Sequence, residues 1–131
     1  MQDENALSKV IIGAAIEVHR ELGPGLVESV YEEAMCHELR LRNLDFRRQQ
    51  RVAISYKGVK LATPLRLDLI VENQVVVDGK AKECLTPLDR AQLLTYLRLT
   101  DKRLGLLINF HEFMLKNGIR RVVNALPEDP R

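Results

Sequence analysis

The stretch that most limits the fold of this chain is LRLDLIVENQVVVDGKA, residues 65 to 81. Leu65, Leu67, Leu69 and Val71 alternate with Arg66, Asp68 and Ile70, the period of a strand with one buried face. Glu72-Asn73-Gln74 reads as a polar hairpin turn, and Val75 to Ala81 as the returning strand. A hairpin this apolar needs a sheet around it. Side chains alternate along a strand, so Asp78 and Lys80 share one face while Val77 and Gly79 share the other. With the turn centred on Asn73, residues 68 and 78 are each five positions from the centre, which sets Asp68 opposite Asp78. A slip of one residue in the register would separate them.

The segments on either side supply layers to cover that sheet. Leu7, Val10, Ile11, Ala14, Ala15 and Val18 recur at helical spacing and predict an amphipathic helix that ends before Gly23-Pro24-Gly25. A second helix follows, with Val27, Val30, Tyr31, Ala34, Met35 and Leu39 on its apolar face and Glu28 in its first turn, where a carboxylate suits the helix dipole. From Val52 the period becomes two: Val52, Ile54 and Tyr56 lead to a turn at Gly58 and on to Val59 and Leu61. After the hairpin, Thr86 is an N-cap with Pro87 at the first helical position and Asp89 three residues after the cap, opening a helix to about Thr100. LGLLINF then reads as a buried strand and GIRRVVNA as a more exposed last one. MQDEN and PEDPR read as tails. The expected architecture is a single α/β domain over residues 1 to 131, with its core at about 7 to 126: a central mixed sheet flanked by helices.

Composition excludes several classes. With 131 residues and 46% apolar content the chain can bury one core, and its longest apolar runs are far too short for a membrane span. The polar, acidic start is unlike a signal peptide, so a cytoplasmic protein is expected. Cys36 and Cys84 lack CxxC or Cys/His spacing and read as reduced thiols. A net charge of +2 does not by itself announce a nucleic-acid partner, although basic residues cluster in FRRQQR, RAQLLTYLR and IRRVV.

The chemistry sits with the acids. Two carboxylates opposed across a hairpin repel each other unless a cation lies between them, and a divalent ion with oxygen ligands is the usual compensator. Lys80 is placed to polarise a phosphoryl oxygen or position a water beside such an ion. His19 reads as a surface histidine at a helix end, and His37 and His111 have no evident partners. Lys82 and Glu83 read as solvated charges.

GLVESVY, that is Gly25-x-x-Glu28-x-x-Tyr31, resembles the signature of the GxxExxY proteins, a family similar to the PD-(D/E)xK or restriction-endonuclease-like nucleases. The likeness extends through YEEAM, RLDLIVENQVVVDGKA, QLLTYLR and LGLLINF. It implies a restriction-endonuclease-like core and a Mg2+ (or Mn2+) site in which Asp68, Asp78 and Glu28 are ligands and Lys80 orients or activates water. Gln92 and Tyr96 match the Gln-x-x-x-Tyr motif of RecB-like exonucleases and would steady the site. The implied function is metal-dependent hydrolysis of a nucleic acid, DNA or RNA, with Arg47, Arg48, Arg51, Arg120 and Arg121 as backbone contacts. One departure bears on rate: the family more often has glutamate where this chain has Asp78, and a bulkier residue at Gly79. The alternative is a nuclease-like fold with little turnover that serves as a nucleic-acid or protein binding module. So small a domain encloses a duplex poorly, which favours a homodimer.

Overall fold

The computed structural model describes residues 3 to 127. Two helices come first, α1 (Glu4–Leu22) and α2 (Glu28–Leu41), followed by strands β1 (Phe46–Val52), β2 (Ser55–Tyr56), β3 (Val59–Lys60), β4 (Leu65–Val71) and β5 (Val75–Lys80). Helix α3 (Pro87–Thr100), β6 (Leu104–Asn109), one 3-10 turn (Leu115–Gly118) and β7 (Ile119–Val123) complete the chain. Five strands form a mixed sheet in the order β1-β4-β5-β6-β7, and β2 pairs with β3 in a separate small ribbon.

The hairpin anchors this order. β4 and β5 are antiparallel, with Leu69 opposite Val77, Ile70 opposite Val76 and Val71 opposite Val75, the register centred on Asn73. Glu72 and Asn73 take φ of 52° and 55°, and Gln74 N–H donates to the Val71 carbonyl at 2.9 Å, closing a tight turn. From β5 the chain crosses through α3 and returns as β6, parallel to β5, so β5 lies at the middle of the sheet. α3 opens with the expected capping box between Thr86 and Asp89.

Each face of the sheet has its own core. Leu7, Ile11, Ala14 and Val18 of α1 and Tyr31, Met35 and Leu39 of α2 pack on Leu69, Val77, Leu106 and Ile108. Leu93 and Leu97 of α3 pack on Leu67, Ile70, Val76 and Leu107. Leu67 and Leu69, two apart in one strand, thus join opposite cores. The alternation of β4 breaks at the residue between them, which is Asp68.

Several expectations are corrected. MQDEN is not all tail, because Glu4 and Asn5 are helical and Asp3 caps α1 by accepting the Ala6 N–H at 2.8 Å. Met1, Gln2 and most of PEDPR lie outside the described residues. Val27 and Val30 do not join the buried face of α2: Val27 precedes the helix and both are exposed, while Cys36 is buried in their stead. Of the alternation from Val52 to Leu61, Val52 ends β1 opposite Leu65, and residues 55 to 60 build the exposed β2–β3 ribbon. The neighbour that β4 needs is instead β1, formed by FRRQQRV.

Candidate active site

The loop before α2 fixes where that helix begins. Gly23 and Gly25 have φ of 75° and 100°, conformations that favour glycine. The buried Tyr31 hydroxyl donates to the Gly23 carbonyl at 2.5 Å and accepts the Leu26 N–H at 3.1 Å. Its ring stacks on Phe110, with centroids 4.6 Å apart and planes inclined by 7°. Tyr31 is therefore a core clamp, which accounts for the Gly25-x-x-Glu28-x-x-Tyr31 spacing. The tyrosine holds the turn, the glycine permits it, and Glu28 becomes the first residue of the helix.

Glu28 lies beside the hairpin acids. Glu28, Glu32, Tyr31, Met35, Asp68, Leu69, Val77, Gly79 and Phe110 line a narrow cleft with about 10 Å³ of free space, room for about one water. A larger concavity of about 550 Å³ lies at the turn end of the hairpin, lined by Phe46, Glu72 and Asn73 among others, and contains none of these acids. Asp78 is 5% exposed. The Lys80 ammonium is 3.4 Å from Asp78 Oδ1, whereas Oδ2 is buried with no hydrogen-bond partner among the described residues.

The carboxyls are hard to ionise together. Burial, then the charge of Asp78 and then that of Glu32, push Asp68 up to about 7. Burial also raises Asp78, against the pull of Lys80 and of Asp68, which is near enough to donate to it when protonated. The two titrate as a pair. Glu28 is raised by burial and by Asp68. Burial alone would lower Lys80, but Asp78, Glu28 and Asp68 outweigh it and keep the amine charged. Tyr96 is raised by burial and by Asp78, so its hydroxyl falls within the field of the acids. Gln92, one helical turn earlier on α3, is exposed.

The arginines do not form one surface. Arg47, Arg48 and Arg51 are on β1 and Arg120 and Arg121 on β7, the two opposite edges of the sheet. Arg48 is committed to Glu32 at 2.7 Å, Arg121 donates to the Asn5 side chain, and Arg120 donates to the carbonyls of Asn117 and Ile119. Arg51 lies directly across from Arg66, and neither makes an ion pair among the described residues.

Other side chains have structural roles. His19 is buried, its Nε2 2.6 Å from the Glu112 carbonyl oxygen, and ties α1 to the loop after β6. Lys82 is not simply solvated: its amine is 2.9 Å from Asp89, which also caps α3. Two residues absent from the sequence reading matter here. Glu32 faces Asp68 and joins α2 to β1 through Arg48 and Gln49, and its position four residues after Glu28 is the sequence signal. Asn109 is fully buried, and its side chain bonds the Lys82 N–H and C=O at 3.1 and 2.9 Å, locking the end of β5 to the end of β6. A single asparagine ending an apolar strand carries no such signal.

The family model described as the PD-(D/E)XK nuclease superfamily matches residues 5 to 122. This chain belongs to that superfamily. Comparison with curated proteins and with solved structures finds no match. The α/β architecture, a five-stranded mixed sheet between helical layers, agrees with the restriction-endonuclease-like fold of these nucleases. No helix among the described residues is long and apolar enough to cross a membrane.

PD-(D/E)XK nucleases generally use divalent metals. In this nuclease fold the donor set suits one. Asp78 Oδ2, without a hydrogen-bond partner among the described residues, and the adjacent Asp68 are hard oxygen donors. Mg2+ commonly takes one or two carboxylates and keeps its remaining positions for water. Among the described residues no three Asp, Glu, His or Cys side chains converge tightly enough to enclose an ion.

Proposed function

We propose that this chain is a divalent-metal-dependent nuclease that hydrolyses phosphodiester bonds, close to the GxxExxY proteins in its Gly25, Glu28 and Tyr31 signature. The observation that carries this reading is the pairing of half-buried Asp68 with buried Asp78, with Lys80 3.4 Å from one Asp78 oxygen and the other oxygen unpartnered among the described residues. Buried like charges of this kind are costly to a fold and are retained where a cation is meant to bind.

Asp68 and Asp78 would hold Mg2+ or Mn2+, and Glu28 would reach it through water. When bound, such an ion supplies Lewis-acid stabilisation of the charge that develops on the phosphoryl group. Lys80, held charged by its three acidic neighbours, cannot serve as a base at neutral pH; its ammonium donates to a phosphoryl oxygen or orients the attacking water. Glu28, raised and open to solvent, accepts a proton from that water. Tyr96, within the field of the acids, and Gln92, on the same side of α3, would steady the site. Arg47 and Arg51, without ion-pair partners among the described residues of β1, are closer along the sheet to β4 than the arginines of β7 and are the better backbone contacts.

A second reading, a nuclease-like binding module with little turnover, draws on the lack of three converging ligands among the described residues. One experiment separates the two. Calorimetric titration of Mg2+ and Mn2+ into wild type and Asp68→Ala is run with labelled single- and double-stranded DNA and RNA in parallel. Metal binding and cleavage in the wild type, both lost in Asp68→Ala, support the nuclease. Oligonucleotide binding without cleavage in either protein supports the module.

A further inference from the structure

Of the three phenylalanines, Phe110 is buried and Phe46 half-buried, but Phe113 is 94% exposed. A mobile loop would account for that, yet this loop is pinned on both sides. Phe110 N–H donates to the Lys80 carbonyl at 2.9 Å and its ring stacks on Tyr31. His111 N–H donates to the Asn109 side chain at 3.3 Å, the Glu112 carbonyl is held by His19, and Leu115 is buried. The ring of Phe113 is thus presented to solvent by a fixed backbone.

Beside it is a slot of about 140 Å³ between Pro24-Gly25 and His111-Phe113. Gly25 has open space where a side chain would begin, so this wall is the Pro24 ring and the bare backbone of Gly25, facing two aromatic rings. Along the chain, Gly25 is three residues before Glu28 and His111 follows Phe110, and Glu28 and Phe110 both line the cleft. Leu26, Val27 and Met114 are exposed around it.

We propose that Phe113 is a stacking platform for one unpaired nucleobase next to the bond to be cut, so that the substrate is a single strand or a frayed end. This rests on the nuclease reading. A planar heterocycle fits an aromatic wall facing backbone, and aromatic stacking accepts any base because every base has a π-face. Within a duplex both faces of each base are already covered by neighbours. A protein side chain is the poorer occupant, because both walls of the slot continue along the chain into residues that line the cleft, and a docked partner would obstruct a strand passing between them.

The chain has no tryptophan, so Phe113→Trp introduces a single indole, excited apart from the three tyrosines, at an exposed position where folding does not depend on the side chain. In an Asp68→Asn background that blocks turnover, a short labelled oligonucleotide is titrated as single strand and as blunt duplex, reading anisotropy and tryptophan emission together. Stacking predicts that the single strand quenches the tryptophan and the duplex does not. It also predicts that Phe113→Ala and Phe113→Leu both weaken single-strand affinity by about 5- to 150-fold. Binding without quenching, or full affinity in Phe113→Leu, overturns the platform and leaves the nuclease reading standing. Self-association that shields the tryptophan overturns it in favour of a second copy. Failure of every oligonucleotide to bind overturns both.

Discussion

Replacing Asp68 with asparagine isolates the energetic cost of the acidic pair. Asp68 is raised from 3.8 to about 7 in the folded chain. An acid raised by folding keeps its proton in the native state between those values, while the unfolded chain has already released it. The native state then binds more protons, so stability falls as pH rises from about 4 to about 7 and is level above. A rise of roughly three pH units, at 1.36 kcal/mol each, bounds the loss at about 4 kcal/mol. Water at the rim of the cleft screens part of this, and about 2 kcal/mol is the working figure. The asparagine side chain keeps the shape and can donate to Asp78 without a charge. In chelator at about pH 3.5, where Asp68 is largely protonated in the folded and the unfolded chain alike, urea midpoints of wild type and Asp68→Asn should agree to within about 0.5 M, given slopes of about 1–3 kcal/mol/M. At pH 8.5 the variant should be the more stable by about 1 M or more. Mg2+ at about 100 times its dissociation constant should restore about 2.7 kcal/mol to the wild type. An equal difference between the two proteins at both pH values would refute this account of the pair.

Gly79→Ala should raise the melting temperature by about 2–6 °C in a dye-based melt, because the added Cβ meets only Phe110 at 3.7 Å and relieves about 0.5–1 kcal/mol of glycine entropy. Tyr31→Phe should cost about 1–3 kcal/mol in chemical denaturation, since it orphans the Gly23 carbonyl and the Leu26 N–H. Glu32→Gln removes a negative charge facing Asp68, so the Asp68 midpoint followed by carboxyl 13C NMR should move downward. An upward shift would mean that release of Arg48 dominates.

Different parts of the structure were legible in the sequence to different degrees. The hairpin turn could be read because the polar residues fix its centre, which the pairs Leu69–Val77, Ile70–Val76 and Val71–Val75 keep; the single buried face expected of β4 could not, because its alternation breaks at Asp68. The capping box of α3 was equally local. β1 was not legible: FRRQQRV is an edge strand with one neighbour, Gln49 interrupts it at φ 54°, and its hydrogen bonds come from β4, across the whole β2–β3 ribbon in the chain. Glu28 could be placed in a first turn, but its approach to Asp68 depends on Tyr31 reaching back to Gly23. The role of Asn109 comes from cross-element contacts that no spacing encodes, whereas Glu32 is signalled only by its place one helical turn after Glu28. Phe113 shows the opposite case, since an apolar residue near a strand end reads as core until its exposure is known.

The position of β5 determines when the candidate site comes into being. By residue 80 a growing polypeptide on the ribosome already contains Glu28, Asp68, Asp78 and Lys80. Yet β5 is then the open edge of a three-strand sheet, because β6 (residues 104 to 109) closes its other side. Until that strand and α3 arrive, water reaches the acids and their proton affinities stay ordinary. A product truncated before β6 carries every one of these side chains but lacks that neighbour, so the candidate site is incomplete until β6 has been made and docked.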